Sequence, residues 1–324
     1  VPCAVVVTCL FYGAISGSGP ATVAAVGAMC IPILVELGYD KVFSAAIVAT
    51  AGGLGVIIPP SIPFIMYALF TQESVGDMFT AGIIPGCLIA ATIMFYCWFY
   101  CKRHGEDKAK IAENYARLKK RGFIRVFIDG FWAVLTPVII LGGIYGGFVT
   151  PTEAACVSVF YALIVCIFIY RTISIKDVPQ LLKDAIASYA PICVLIGLAT
   201  GFSRILVLLR AADVIQAVLT SVIHNGTMLL IFLNILLLIL GMFMDVGAAV
   251  VILAPILLPI AKGFGIDGIH LGIVMVTNLA VGFVTPPFGM NLFVAAPLVE
   301  SSAGELGKKV LAPCAFFLAA LLLI

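Results

Sequence analysis

Apolar residues run almost unbroken along this chain in long stretches, and the short polar breaks between them recur in the same order twice. Near the start, an apolar run (1–15) ends at Ser16-Gly17-Ser18-Gly19. A second run (20–37) ends at Gly38 and Asp40, and a third (41–70) is interrupted by Pro59-Pro60. Near the end the devices return: a run at 228–243, a tip from Asp245 to Gly247, a run at 248–264 closed by Gly265 and Asp267, and a run at 269–298 interrupted by Pro286-Pro287. Sliding the chain against itself by 227 positions places Pro32, Ile33, Gly38, Asp40, Thr50, Gly55, Pro59 and Pro60 on Pro259, Ile260, Gly265, Asp267, Thr277, Gly282, Pro286 and Pro287. That is eight identities in 29 ungapped positions, and one gap brings Gly13 and Gly19 onto Gly241 and Gly247. A repeat of this kind divides the chain into two related halves.

The runs predict helices, and their length predicts a membrane, because a helix needs about 20 apolar residues to cross the hydrocarbon core. The first two runs of each half are shorter than that and meet at a polar tip, so they are expected to form re-entrant hairpins. The third is expected to form a transmembrane helix broken at Pro-Pro. The predicted fold is therefore an all-α membrane protein with an internal repeat, two re-entrant helical hairpins and two Pro-Pro-broken helices. Residues 1–101 form the first repeat (hairpin, broken helix, closing helix), cut at its N-terminus, since both ends of the chain look cut within longer apolar segments. Residues 126–324 form the second, with scaffold helices at 126–209, hairpin at 227–264, broken helix at 268–299 and closing helix at 303–324.

Composition sharpens this. Hydrophobic residues make up 63% and charged residues 10%, against about 45–50% and 25% in soluble domains. Nine of the 18 Lys and Arg residues fall in 102–125, which the positive-inside rule makes a cytoplasmic loop. A solvated charged helix is compatible with that location, and its isolation between spans argues against a nucleic-acid surface. Counting crossings outward from that loop opens the first hairpin to the cytoplasm and the second to the exterior, so the halves are inverted. Arg171, Lys176, Lys183, Lys308 and Lys309 then fall on the cytoplasmic side without having been used in the count. Ten scattered cysteines lack metal-site spacing and read as small apolar residues.

The chemistry is expected at the breaks. Proline removes an N–H and crowds the preceding turn, leaving carbonyls unpaired at Ile58-Pro59-Pro60 and Thr285-Pro286-Pro287. Such groups survive inside a bilayer only where they face protein, water or ligand. Carbonyl ends suit a small cation, and the restarting half-helices, placed near Ser61 and Phe288, suit a carboxylate. Ser16 and Ser18 add hydroxyls, Gly17 and Gly19 permit the turn, and Asp245 is the only carboxylate between Met228 and Lys262. A membrane carboxylate is costly unless paired or binding a cation; the plainer alternative is that Asp245 caps the following helix. Thr285 and Asn291 flank the second break, as ligands or as packing hydrogen bonders.

Glu153 is read as a helix-start residue with Thr152 as cap. Arg204 and Arg210 are read as snorkelling, with Asp213 paired to Arg210. Gly142, Gly143, Gly146 and Gly147 indicate close helix contact. No nucleophile with a base, phosphate loop or metal cluster is present, so the chain is not expected to be an enzyme.

The strings GAISGSGPAT (13–22), GGLGVIIPPSIPFIMY (52–67), GGIYGGFVTPTEAA (142–155), GMFMD (241–245) and VGFVTPPFGMNLFV (281–294) resemble the large membrane subunit of the tripartite ATP-independent periplasmic (TRAP) transporters, in order along the chain. The resemblance implies a Na⁺-coupled elevator-type carrier in the bacterial inner membrane. It would import an organic acid such as a C4-dicarboxylate or sialic acid, with a small membrane subunit, sometimes fused, and a periplasmic substrate-binding protein. It further implies one Na⁺ site at Ser16, Gly17, Ser18, Gly55 and Pro59, and another at Asp245, Gly247, Gly282, Thr285 and Pro286. Substrate would lie against Ser18, Pro60, Ser61, Pro287, Gly289 and Asn291. Gly19-Pro20 departs from the family's usual Ser-Ala or Ser-Val, which leaves ligation there to Ser16, Ser18 and carbonyls. The competing reading is an ion channel or ion-translocating subunit of a membrane complex. It calls for a chain of intramembrane acids, lysines or histidines, and outside the loops only Asp245 is so placed. A purely structural membrane partner leaves the mirrored breaks without a purpose.

Overall fold

The computed structural model describes every residue of 1–324 except 122, 211–214, 216–218 and 220–222. Among the described residues all regular structure is helical. The helices in order are α1 (Pro2–Ser16), α2 (Gly19–Glu36), α3 (Lys41–Gly52), α4 (Ile62–Thr71), α5 (Val75–His104), α6 (Lys108–Arg121), α7 (Phe123–Tyr145), α8 (Pro151–Ile164), α9 (Val178–Leu208), α10 (Gly226–Phe243), α11 (Val246–Gly263), α12 (Gly268–Gly282), α13 (Met290–Ala295) and α14 (Ala303–Leu321). Two compact units result, Val1–Lys108 with Ser203–Ile324, and Ala109–Phe202.

The first unit holds both hairpins and both interrupted helices. Helices α1 and α2 meet at a two-residue tip, where Gly17 takes a left-handed φ of 62° and returns its N–H to Gly13 O at 2.9 Å. That conformation is available to glycine at little cost, and it ends the helix. The repeated Gly-x-Asp has a local cause in both halves. Gly38 (φ 93°) and Gly265 (φ 77°) turn the chain back. The aspartates then cap the interrupted helices: Asp40 Oδ1 accepts from Phe43 N at 2.7 Å, and Asp267 Oδ1 from Ile269 N at 2.9 Å and His270 N at 3.2 Å.

Both Pro-Pro bonds are cis. Helix α3 tightens into a 3-10 turn at Gly53–Val56 before its break, and α4 resumes at Ile62. Helix α12 stops at Gly282, and α13 resumes only at Met290, with Gly289 as its cap, two residues beyond the expected Phe288. The delay comes from the backbone folding on itself, since Gly289 N donates to Thr285 O (3.1 Å) and Asn291 N to Phe283 O (2.9 Å).

Each hairpin crosses its interrupted helix glycine on glycine. A Cβ on Gly13 would lie 2.8 Å from Gly55 Cα, and one on Gly282 would lie 2.4 Å from the Gly241 carbonyl carbon. The halves also exchange their resumed segments: α4 packs on α11 and α12, while α13 packs on α2 and α3.

Among the described residues, five helical segments are long and apolar enough to cross a membrane: Gly19–Glu36, Val75–His104, Pro151–Ile169, Gly226–Phe243 and Val246–Gly263. Three of these are hairpin arms. At 18 residues an arm extends about 27 Å, so only α1, with 15 residues, stays clearly short of a crossing.

In the other unit, α7 packs on α8, and the Tyr161 hydroxyl donates to Trp132 O at 2.8 Å. The stretch expected as a basic loop is helical apart from 105–107 and residue 122, which is not described: α5 runs to His104 and α6 covers Lys108–Arg121. Ile111 and Tyr115 share one helical face there. The cap of α8 is Thr150 rather than Thr152. Pro151 occupies the first helical position, the Thr150 hydroxyl meets Glu153 N at 3.3 Å, and Glu153 Oε2 accepts from Thr150 N at 2.8 Å. The expected Arg210–Asp213 pairing falls on Asp213, outside the described residues.

Candidate functional site

The first tip rests on the first break. Gly17 O accepts from Ile62 N at 3.4 Å, and a Cβ on Gly17 would lie 3.0 Å from Pro60 O. A Cβ on Gly55 would meet Ser18 O at 2.6 Å and Thr22 Oγ1 at 2.4 Å, so only glycine admits the tip at that position. Gly17, Gly55 and Pro59 are buried, and Ser16, Ser18 and Pro60 are half-buried. Ser61 is wholly buried; its hydroxyl donates across the break to Val56 O and accepts from Phe64 N at 3.3 Å. This occupies the Ser61 side chain and one of the donors of α4.

The second tip is built differently. Met244 and Asp245 are extended, and Asp245 Oδ2 accepts from Gly247 N (2.8 Å) and Ala248 N (3.3 Å), so Asp245 caps α11. The residue is exposed rather than buried, because it lies where the chain turns between two arms. Gly241 lies on Gly282, and the rings of Phe243 and Phe288 are 5.1 Å apart, which places this tip beside the second break. Thr285 donates to Val281 O at 2.8 Å and lies 3.6 Å from Cys314 Sγ. Pro286 packs on α14, where a Cβ on Gly307 would lie 3.1 Å from its ring. Pro287 is exposed, and Gly289 is buried. Gly247 faces the other half, its would-be Cβ lying 3.0 Å from Met66 Sδ of α4.

The two breaks are neighbours. A Cβ on Gly53 would lie 3.4 Å from Ala280 O, and one on Gly19 would lie 3.3 Å from both Gly52 O and the Phe283 ring. Asn291 joins them. From beyond the second break its Nδ2 donates to Ala49 O at 3.0 Å in the first half, and its Oδ1 is buried without a hydrogen-bond partner. Asn291 is thus a wholly buried bridge between halves.

Two features went unrecognised in the sequence. Thr22, wholly buried, closes the first tip: its hydroxyl donates to Ser18 O at 2.8 Å and lies 3.0 Å from Ser16 Oγ. The signal was a hydroxyl one helical turn past Ser18 in an apolar run. Asn278, also buried, donates to Asn234 O at 3.0 Å and fastens α12 to α10; its signal was an asparagine in each of two apolar runs.

Polar ties also close the hairpin bases. The Tyr39 hydroxyl donates to Glu106 and holds that carboxyl below its ordinary value, while burial, foremost, pushes the Tyr39 phenol up. Lys262 Nζ lies 3.1 Å from Glu73 Oε1 at the base of the second hairpin.

Apolar helices of spanning length, folded as two like halves that each set a hairpin tip on an interrupted helix, define a multi-pass membrane protein. The chain belongs to the DctM component family of the tripartite ATP-independent periplasmic transporters, which it matches over residues 1–324. It is similar to the isethionate TRAP transporter permease protein DctMQ of Oleidesulfovibrio alaskensis, 45% identical over 316 residues that make up 98% of this chain and 49% of that protein. It is 40% identical to the C4-dicarboxylate TRAP transporter large permease protein DctM of Pseudomonas aeruginosa, over 93% of this chain and 69% of that one. To the sialic acid TRAP transporter large permease protein SiaM of Vibrio cholerae it is 33% identical, again over 93% and 69%. The chain therefore spans about half the length of the first of these relatives.

Proposed function

We propose that this chain is the solute-handling core of a Na⁺-coupled secondary transporter importing an organic acid through a bacterial inner membrane. The observation that carries the reading is the tip-on-break contact made twice, with the two breaks brought together at Gly19, Gly52, Phe283 and Asn291. Main-chain groups released by proline are tolerated at membrane depth where protein or a ligand satisfies them, and paired breaks between inverted repeats are where transporters place such ligands. The relatives' names carry isethionate, C4-dicarboxylate and sialic acid; the shared chemistry is a small organic anion.

The first cation lies among Ser16, Gly17, Ser18, Gly55 and Pro59. Oxygen donors suit a hard cation, and Ser16 Oγ fits. Ser18 acts through its side chain, because its carbonyl already accepts both N–H (3.1 Å) and O–H (2.8 Å) of Thr22. The second cation lies among Asp245, Gly247, Gly282, Thr285 and Pro286. There Thr285 spends its proton on Val281 O, which turns its lone pairs outward, and Asp245 caps with one oxygen and offers the other. The acid lies against Ser18, Pro60, Pro287 and Gly289, with Ser61 and Asn291 bracing the breaks from within.

The hairpins are re-entrant and inverted, and residues 102–125 are cytoplasmic. The hairpin-bearing core carries cation and acid across by an elevator movement. The working transporter includes a small membrane subunit, separate or fused as the name DctMQ of one relative suggests, and a periplasmic binding protein that delivers the acid. The test is uptake of candidate acids into proteoliposomes holding the assembled transporter, with its binding protein outside and with Na⁺ or choline as the external cation. Saturable uptake that needs Na⁺ supports the reading; unsaturable ion conductance without acid uptake supports a channel instead.

A further inference from the structure

We propose that Thr22 is a positioning residue for the first cation site: it directs the hydrogen bonds of the tip so that the Ser16 hydroxyl turns a lone pair, not its proton, toward the cation. This rests on the reading of the tip as a Na⁺ site. Thr22 is 0% exposed in an apolar arm, and a buried hydroxyl of this kind is expected to be hydrogen-bonded. A hydroxyl carries one proton and two lone pairs. The Thr22 proton goes to Ser18 O at 2.8 Å, and the same carbonyl takes the Thr22 N–H at 3.1 Å. With both lone pairs of that carbonyl used, the Ser16 proton is left to Thr22 Oγ1 at 3.0 Å rather than to Ser18 O at 3.3 Å. The Ser16 oxygen accepts from Ser18 N at 3.4 Å, and its remaining lone pair is turned toward the site.

Packing holds the arrangement in place. Thr22 Oγ1 sits where a Gly55 Cβ would be, 2.4 Å from that position, so its hydroxyl is confined between the arm and the break.

The second tip supplies an independent comparison. In the register that matches Gly13 and Gly19 with Gly241 and Gly247, Thr22 falls on Val250, which is buried and apolar. That tip carries Asp245, a carboxyl group in place of a serine hydroxyl. The tip without an acidic residue is the tip with the directing hydroxyl.

The test compares Thr22→Val, which keeps the shape, with Thr22→Ser, which keeps the hydroxyl, in the assembled transporter. The readouts are half-saturating Na⁺ for uptake at saturating acid, KM for the acid at saturating Na⁺, and unfolding temperature with and without Na⁺. One lost hydrogen bond predicts a rise of about three- to tenfold in half-saturating Na⁺ for Thr22→Val. KM at saturating Na⁺ and the Na⁺-free unfolding temperature stay near wild type, and Thr22→Ser restores Na⁺ affinity. A Val variant with wild-type Na⁺ affinity overturns the inference, as does a Ser variant as weak as Val, which would make the methyl the working part. A wild-type transporter indifferent to Na⁺ in both uptake and stability overturns the underlying reading of the tip, and the inference with it. Since each variant keeps a different half of the side chain, the surviving one still decides if the other fails to fold.

Discussion

Gly282→Ala puts a methyl group where another helix already lies. The new Cβ would stand 2.4 Å from the Gly241 carbonyl carbon, 2.5 Å from its Cα and 2.8 Å from its oxygen. Carbon atoms pack comfortably at about 3.5–4.0 Å, so α10 must retreat from α12 by roughly 1 Å; the obstructing atoms are main chain and have no rotamer to change. Replacing glycine by alanine in a helix is by itself worth up to about 1 kcal/mol in favour of alanine. Overpacking costs about 1–3 kcal/mol, and a main-chain clash belongs at the upper end. The expected net loss is about 1–2 kcal/mol, a fall of a few degrees in unfolding temperature. The same retreat carries the second tip away from its break, so half-saturating Na⁺ rises by about an order of magnitude for 1.4 kcal/mol. Gly241→Ala is milder, its Cβ meeting Leu279 O at 3.0 Å. Unfolding temperature and Na⁺-dependent uptake of the purified, reconstituted transporter report both effects. A Gly282→Ala protein that is more stable, as helix propensity alone predicts, with unchanged uptake would refute the packing argument.

Asp245→Asn separates capping from charge: asparagine caps a helix as well as aspartate does, so stability holds while Na⁺-driven uptake falls by at least tenfold, whereas Asp245→Ala also loses about 1 kcal/mol of cap in a denaturation series. Asn291→Asp replaces the amide that donates to Ala49 O at 3.0 Å with an acceptor in a wholly buried place; it is expected to destabilise the fold by about 3 kcal/mol or more and to abolish uptake, and near-wild-type melting would show that the bridge is dispensable. The Glu106 carboxyl titrates below its ordinary value because Tyr39 donates to it. Its contribution is therefore present above the unfolded carboxylate value of about 4.3 and is lost as the pH falls through the lower folded value. Tyr39→Phe should flatten the acid limb of stability against pH, and an identical limb in both proteins would discount the tie.

The parts of this fold that were legible are those that single residues impose on their own backbone. Gly38 and Gly265 turn the chain, Asp40 and Asp267 cap, Gly17 ends an arm, and the Pro-Pro pairs stop their helices, all within a few residues. The charged helix weighed as an alternative for the basic stretch is what α6 forms at Lys108–Arg121. What escaped was the choice of partner. Asn291 bonds to a carbonyl 242 positions away, and α4 and α13 settle on the opposite half; helices apolar on every side carry no stripe to say which face meets which neighbour. Thr22 was passed over for the same reason, since its role depends on Gly55 arriving beside it. The glycine matches between halves did contain the crossing points, because Gly13 with Gly55 and Gly241 with Gly282 are the contacts that bring each tip to its break.

Whether the two tip-and-break contacts hold sodium is answered most directly by electron cryomicroscopy of the assembled transporter with its organic acid, in matched sodium and choline buffers. The account predicts two isolated densities that appear only in sodium, one beside Ser16 and the Gly55–Pro59 segment, the other beside Asp245 and Thr285, with the acid between the breaks. Sodium-dependent density elsewhere, or identical maps from a preparation whose uptake requires sodium, would contradict it.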